Sequence, residues 1–368
     1  MIQDVFLCLS ITPKVGWSTI DHLNQVGIDQ SVFNLDKIQW KKRYPFLNDN
    51  QALALSETVT KNVLFQQKKK LEALQIQALT PYDPEYPPLL KEIFNPPWVL
   101  YAWGDLTLLS RPGLGVVGSR KTTHYGRHVT EKLVPELVHK GWVIVSGLAL
   151  GIDAISHEST LRAGGKTVAV LGSGIDVIYP KNNRNLYERI KEQGLLLSEY
   201  PPGTPAIPAY FPQRNRIISG LSHGIIVIEA AKKSGSLITA HLALEQGRDV
   251  FAIPGSIFDF QSVGTNLLIQ QGAKLVTNAL DIVDEFPHVS LPLPQEKNDH
   301  GLNEGIMVED IEKEILEVLK FEKKHMNEIL TLTGTSMTEL SHYMLKLEMK
   351  GFIKALPGSF YQKISSFE

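Results

Sequence analysis

The chain has 368 residues, more than one hydrophobic core usually supports, so roughly two or three domains are expected. Its composition of 43% apolar and 21% charged residues excludes a disordered or fibrous chain. The 37 Lys plus Arg are offset by 39 Asp plus Glu, so a nucleic-acid contact has to be a local basic patch. The single cysteine, Cys8, lies in the apolar run Val5-Phe6-Leu7-Cys8-Leu9, which excludes an intramolecular disulfide and points to a reducing compartment. No basic segment precedes that run, and Asp4 stands where a signal peptide carries positive charge. No apolar stretch approaches the ~20 residues that span a bilayer, so no membrane partner and a cytoplasmic location are expected.

Residues 1 to about 75 carry apolar side chains at helical spacing, with a turn at Thr12-Pro13-Lys14-Val15-Gly16. This predicts a small helical domain, read either as a helix-hairpin-helix-like (SAM-like) module or as a scaffolding cap. A second domain is expected over 76–286, and from about residue 110 short β-branched runs alternate with helical stretches. The predicted strands are Leu114-Val117, Val143-Ser146, Thr167-Leu171, Leu195-Glu199, Ile225-Glu229, Val250-Ile253 and Lys274-Val276. They are apolar throughout rather than alternating, as parallel strands covered on both faces are. The fold class is therefore α/β, a Rossmann-like, doubly wound, mostly parallel sheet. Residues 287–304 include Pro292, Pro294 and a polar run, which predicts a linker, with a separate domain over 305–368.

Ligands of such sheets bind beyond the carboxyl ends of the strands, where helix amino termini offer free amides. The ends here are Gly118-Ser119-Arg120, Ser146-Gly147, Gly172-Ser173-Gly174, Lys232-Lys233-Ser234-Gly235-Ser236 and Pro254-Gly255. Small residues at these ends make a rim suited to phosphate. The string Gly113-x-Gly115-x-x-Gly118 matches a dinucleotide motif, but the strand lies inside it, so a nicotinamide site is rejected and no cofactor is expected.

Prolines at 201, 202, 205, 208 and 212 exclude regular helix or central strand in the stretch 201–219, which predicts a long rigid excursion over the sheet edge leading into a helix start. The excursion ends in Tyr210-Phe211-Pro212-Gln213-Arg214-Asn215-Arg216. Rings that stack on bases beside arginines that hold phosphates suit a single-strand binder; a core phenylalanine with structural ion pairs accounts for the residue types equally well. The chain has no nucleophile elbow, no Cys-x-x-Cys and no phosphate-loop motif. Asp153 and His157, four apart, are read as a helix-start ion pair rather than a metal site, since no third ligand accompanies them. Glu199 and Glu229 are the general-base candidates, and neither has an evident nucleophile beside it.

Val116-Val117-Gly118-Ser119-Arg120, Ser146 to Asp153, Leu171 to Asp176 with Tyr179-Pro180-Lys181-Asn182, Phe211 to Ile218, Lys233 to Ala240 and Pro254-Gly255-Ser256 occur in order. Over roughly 80–285 this series resembles the DprA/Smf family of bacterial DNA-processing proteins. The resemblance implies a non-catalytic protein that coats single-stranded DNA and loads the recombinase RecA in natural transformation and homologous recombination. It implies a DNA groove made by Arg120, Lys181, Arg214, Arg216 and Lys233, with Gly118, Ser119, Phe211, Asn215, Ser234, Gly235 and Ser236 beside them. Leu267, Leu268 and Ile269 are three consecutive apolar residues on a short helix at the sheet edge near Leu275, so at least one of the three is expected to point outward as a dimer contact, and the resemblance likewise implies a homodimer paired through this end of the domain.

The carboxy-terminal piece resembles the family's winged helix, with helices at 311–319, 326–330 and 336–350 and a wing around Phe352-Ile353 and Phe360-Tyr361. From residue 304 onward it holds eight Lys/Arg against eleven Asp/Glu, which favours a protein-contact or structural role over duplex binding. Two other functions compete. One is a nucleoside-monophosphate phosphoribohydrolase of the related Rossmann-like group, whose motif glutamate is missing from Ser234 to Ala240; the other is an interaction scaffold.

Overall fold

The computed structural model describes residues 1–291, 310–319, 323–349, 352–356 and 358–363. Residues 292–304, most of the expected linker, lie outside the described residues. The chain divides into two compact units, Met1–Gln295 and Glu296–Glu368.

The first unit is built on a nine-stranded sheet in the order β1-β2-β6-β5-β4-β3-β7-β8-β9. Its strands are β1 (Gln77–Leu79), β2 (Leu100–Gly104), β3 (Gly113–Val117), β4 (Val143–Ser146), β5 (Thr167–Val170), β6 (Leu195–Ser198), β7 (Gly224–Val227), β8 (Asp249–Ala252) and β9 (Lys274–Leu275). The seven strands from β3 onward pair in parallel, whereas β1 and β2 add an antiparallel margin beyond β6. That margin is absent from the sequence reading. β4 lies on one side of β3 and β7 on the other, so the order of winding reverses between β3 and β7. A doubly wound sheet opens its crevice at this point.

Both faces are covered, which explains the unbroken apolar strands. Val143 and Val145 pack in one cluster with helices Tyr210–Gly220, Gly235–Glu245 and Val263–Gln270, while Ile144 between them packs in another with helix His124–His139. Gly115 lies within β3, where an added Cβ would come 2.2 Å from Ile225 Cδ1, so that glycine serves strand packing rather than a turn.

Five α-helices fill residues 2–74, and side chains cap three of their starts: Asp36, Asn48 and Thr60. Phe6, Leu9, Trp40 and Leu55 of this region share one apolar cluster with Tyr101, Ala169 and Leu196 of the sheet. The amino-terminal helices therefore continue the main core. Cys8 is buried there, and burial pushes its thiol up to about 12.

Of the expected dimer contacts, Leu268 is corrected. It is 3% exposed and belongs to the core beneath helix Val263–Gln270, and Ile269 is partly buried against the same core. Leu267 and Leu275 are 38% and 44% exposed and face outward. Among the described residues no helix is long and apolar enough to cross a membrane.

In the second unit, helices Asp310–Leu319, Met326–Thr333 and Met337–Met349 accompany a sheet ordered β10-β12-β11. Its strands are β10 (Lys324–His325), β11 (Ile353–Leu356) and β12 (Phe360–Lys363), all antiparallel. Ile315, Ile329, Leu340, Met344 and Ile353 form its core, and the arrangement is that of a winged helix.

Candidate nucleic-acid interface

A cavity of about 510 Å3 opens over the carboxyl ends of the central strands, where the winding reverses. Its first wall is the loop after β3. Gly118 has no room for a side chain, since a Cβ would come 2.6 Å from Ile152. Ser119 Oγ accepts from Lys121 N and donates to Lys121 O, both at 3.0 Å, which closes a tight turn. Below it lies Glu229, 1% exposed, whose carboxylate accepts from Thr122 Oγ1 and Thr123 N at 3.0 Å each and from Thr123 Oγ1. Thr123 in turn caps helix His124–His139. The loop is thereby fixed with Arg120 and Lys121 exposed at its crest.

Opposite stands Phe211. Its ring is half-buried against Gly172, where an added Cβ would come 2.7 Å from it, and its centroid lies 5.2 Å from the Tyr179 ring. The Arg120 guanidinium lies 5.8 Å from the Phe211 centroid, within cation–π range. Tyr210 stacks on Tyr200 with centroids 4.1 Å apart. Asn215 and Ser234, Gly235 and Ser236 complete the wall. Ser234 caps helix Gly235–Glu245 by accepting from Ser236 N at 3.3 Å, so that helix aims its amino terminus at the cavity. Lys181 follows Tyr179 by two residues and Lys233 precedes Ser234. Both are exposed, and among the described residues neither has an ion-pair partner.

Two arginines are placed otherwise than expected. Arg214 lines the cavity floor but is buried, and its Nη1 donates to Gly147 O at 2.7 Å and to Val170 O, pinning the ends of β4 and β5. Burial pulls its guanidinium down to about 10, against the opposing pull of Asp153, so it stays charged at neutral pH. Arg216 leaves the cavity altogether. It forms a bidentate pair with Glu199, at 2.7 and 2.6 Å, and also donates to Asn95 O at 3.1 Å and Gln213 O at 3.0 Å. Arg216 is thus a structural residue, with four of its five N–H donors committed within the fold and the side chain outside the cavity lining.

The same bonds remove the general-base candidates, since Glu199 is held by Arg216 and Glu229 by the threonine pair. The expected Asp153–His157 ion pair does not form. Burial pushes His157 down to about 3, and its Nδ1 lies 2.7 Å from Thr167 Oγ1. Thr167 donates its own proton to Ile144 O, so the neutral imidazole carries its proton on Nδ1. Asp153 is raised above the usual carboxylate range by burial, although Arg214 and Arg120 pull the other way. Among the described residues no three His, Cys, Asp or Glu side chains cluster as a metal site.

Sequence reasoning missed Lys121, Gln261 and the Glu229 clamp; of these, only the clamp has a local signal, the paired Thr122-Thr123 before a helix.

Residues 77–287 match the family model described as DNA recombination-mediator protein A, and residues 305–359 match the DprA winged helix domain. The chain is 52% identical over 204 residues to DNA processing protein DprA of Bacillus subtilis, covering 55% of this chain and 69% of that protein. It is similar to the X-ray structure of DNA processing protein A from Streptococcus pneumoniae, with a TM-score of 0.62 and 39% identity over 74% of this chain and 98% of that one. A Helicobacter pylori structure, described as giving insight into the single-stranded DNA binding mode of DNA processing protein A, matches with a TM-score of 0.53 and 34% identity, covering 58% of this chain and 95% of that one.

Proposed function

The chain belongs to the DNA recombination-mediator protein A family, the DprA/Smf proteins, and from that premise we propose that it binds single-stranded DNA across the strand-end cavity. The observation that carries this reading is the exposed pair Arg120 and Lys121 lining the cavity beside a half-buried Phe211 ring, with exposed Lys181 and Lys233 close in sequence to the lining segments and, among the described residues, without ion-pair partners. Cations that hold phosphates and a ring that stacks on any base give binding without sequence preference. The single-strand binding mode described for the Helicobacter pylori relative supports it.

The protein acts in DNA processing during transformation and homologous recombination, in the cytoplasm, as a homodimer that loads RecA on the bound strand. The family description as a recombination mediator supports the RecA role, and the outward-facing Leu267 and Leu275 support pairing at the β9 end. The role is non-catalytic: the two strand-end glutamates are bound up in structural contacts, and Ser234 to Ala240 lacks the glutamate a phosphoribohydrolase needs. The test is equilibrium binding to a labelled oligothymidylate and its duplex, with a parallel incubation with nucleoside monophosphates. Tighter binding to the single strand with no base release is expected; base release, or a preference for the duplex, overturns the reading.

A further inference from the structure

The loop after β8 exposes large apolar side chains that the core does not use. Ile257 is 79% exposed, Phe258 92% and Phe260 68%. The loop is nevertheless held in one shape. Phe258 N donates to Ser256 Oγ at 3.2 Å, Asp259 N to Ser256 O at 3.0 Å, and Gln261 N to the Asp259 carboxylate at 2.9 Å. The Asn266 side chain bonds both polar groups of Gly255, at 3.2 and 3.0 Å. Three apolar side chains presented on a fixed loop are preorganised for a partner.

The loop is also tied to the rim of the cavity. Ala230 N donates to Gln261 O at 2.8 Å and Gly264 N to Ala230 O at 2.7 Å, so the loop runs beside the segment that continues into Lys232 and Lys233. Gln261 itself lines the cavity. On the other flank the Tyr125 hydroxyl donates to Pro254 O at 2.7 Å. The acid within the loop, Asp259, is committed to its cap.

We propose that Phe258 and Phe260 form a second stacking platform for unpaired bases, which extends the strand's track past the cavity while its phosphates run along Lys232 and Lys233. This inference rests on the single-strand reading above. A second copy of the chain is the competing occupant, because exposed apolar surface continues through Val263 to Leu267. The exposed Lys232 and Lys233 beside the loop complement a polyanion, and this favours the strand as occupant.

The test uses the full chain with Phe258→Ala/Phe260→Ala, an oligothymidylate, and an abasic oligonucleotide of equal length. The variant is expected to lose roughly 5- to 150-fold in affinity for oligothymidylate per lost stack, which is the ~1–3 kcal/mol of base–aromatic stacking at about 1.4 kcal/mol per tenfold. Its affinity for the abasic strand, its salt dependence and its mass by light scattering are expected to stay those of the parent, and Phe258→Trp/Phe260→Trp to keep the parent's preference. Unchanged oligothymidylate binding overturns the inference, as does an equal loss on both strands. A fall in mass assigns the loop to a second copy instead. A parent protein that binds neither strand overturns the single-strand reading as well.

Discussion

Replacing Arg216 by alanine separates a structural arginine from a DNA-binding one. The side chain makes a bidentate pair with Glu199 and donates to two backbone carbonyls, and burial leaves little water to replace these bonds. The guanidinium is held above its usual range because, although burial opposes it, the hydrogen bonds and charge of Glu199 outweigh that penalty. Removing it strands a mostly buried carboxylate, a loss of about 3–5 kcal/mol for a broken buried pair. At roughly 2–4 °C per kcal/mol for a domain of this size, the melting temperature falls by about 6–20 °C. The double replacement Arg216→Met/Glu199→Met removes both charges and is expected to recover much of that loss. Thermal unfolding by circular dichroism, with oligothymidylate binding measured below the transition, gives both readouts. An Arg216→Ala protein that melts within about 2 °C of the parent but no longer binds the strand refutes the assignment.

The dimer end is tested by contrast. Leu267→Glu and Leu275→Glu are expected to stay folded and halve the mass found by light scattering, whereas Leu268→Glu places a charge in the core and unfolds the chain; folded dimers of both surface variants disprove the contact. His157 predicts a pH effect. The unfolded chain takes up a proton near pH 6.5 and the folded protein only near 3, so stability present above pH 6.5 is lost as pH falls towards 3, by up to about 1.4 kcal/mol per pH unit. Asp153, raised by burial, works in the opposite sense at the acid end. Urea unfolding between pH 4.5 and 7 should be flatter for His157→Gln than for the parent, and an equal slope in both removes His157 as the cause.

The strands of the parallel sheet are legible because burial on both faces writes apolar residues at every position, as Val143-Ile144-Val145 shows. β1 is not, because Gln77–Leu79 is short and half-polar and its place is set by antiparallel pairing with β2, Gln77 opposite Ala102 and Leu79 opposite Leu100. The rim was legible through its small residues, but the arginines needed helix geometry. Residues two apart on a helix point to different sides, so Arg214 and Arg216 of helix Tyr210–Gly220 cannot both face one cavity. The same rotation separates Leu267 from Leu268. The prolines argue against regular helix in 201–219, and the structure corrects this: helix Tyr210–Gly220 accommodates Pro212 in its first turn, where an amide has no intrahelical partner to lose. The Glu229 clamp joins residues more than one hundred positions apart; Thr122-Thr123 before the helix marks one end of it, but no local pattern names Glu229 as the partner.

In the proposed binding mode, exposed cations at the strand-end cavity hold the phosphates of a single strand. The most direct measurement is the slope of log affinity against log salt for an oligothymidylate, in the parent and in Arg120→Ala. With about 0.7 per phosphate contact, Arg120, Lys181 and Lys233 predict a slope of about −2 or steeper for each protomer, and its magnitude falls by about 0.7 in the variant. A slope near zero in the parent, or the same slope in a folded Arg120→Ala protein, contradicts it.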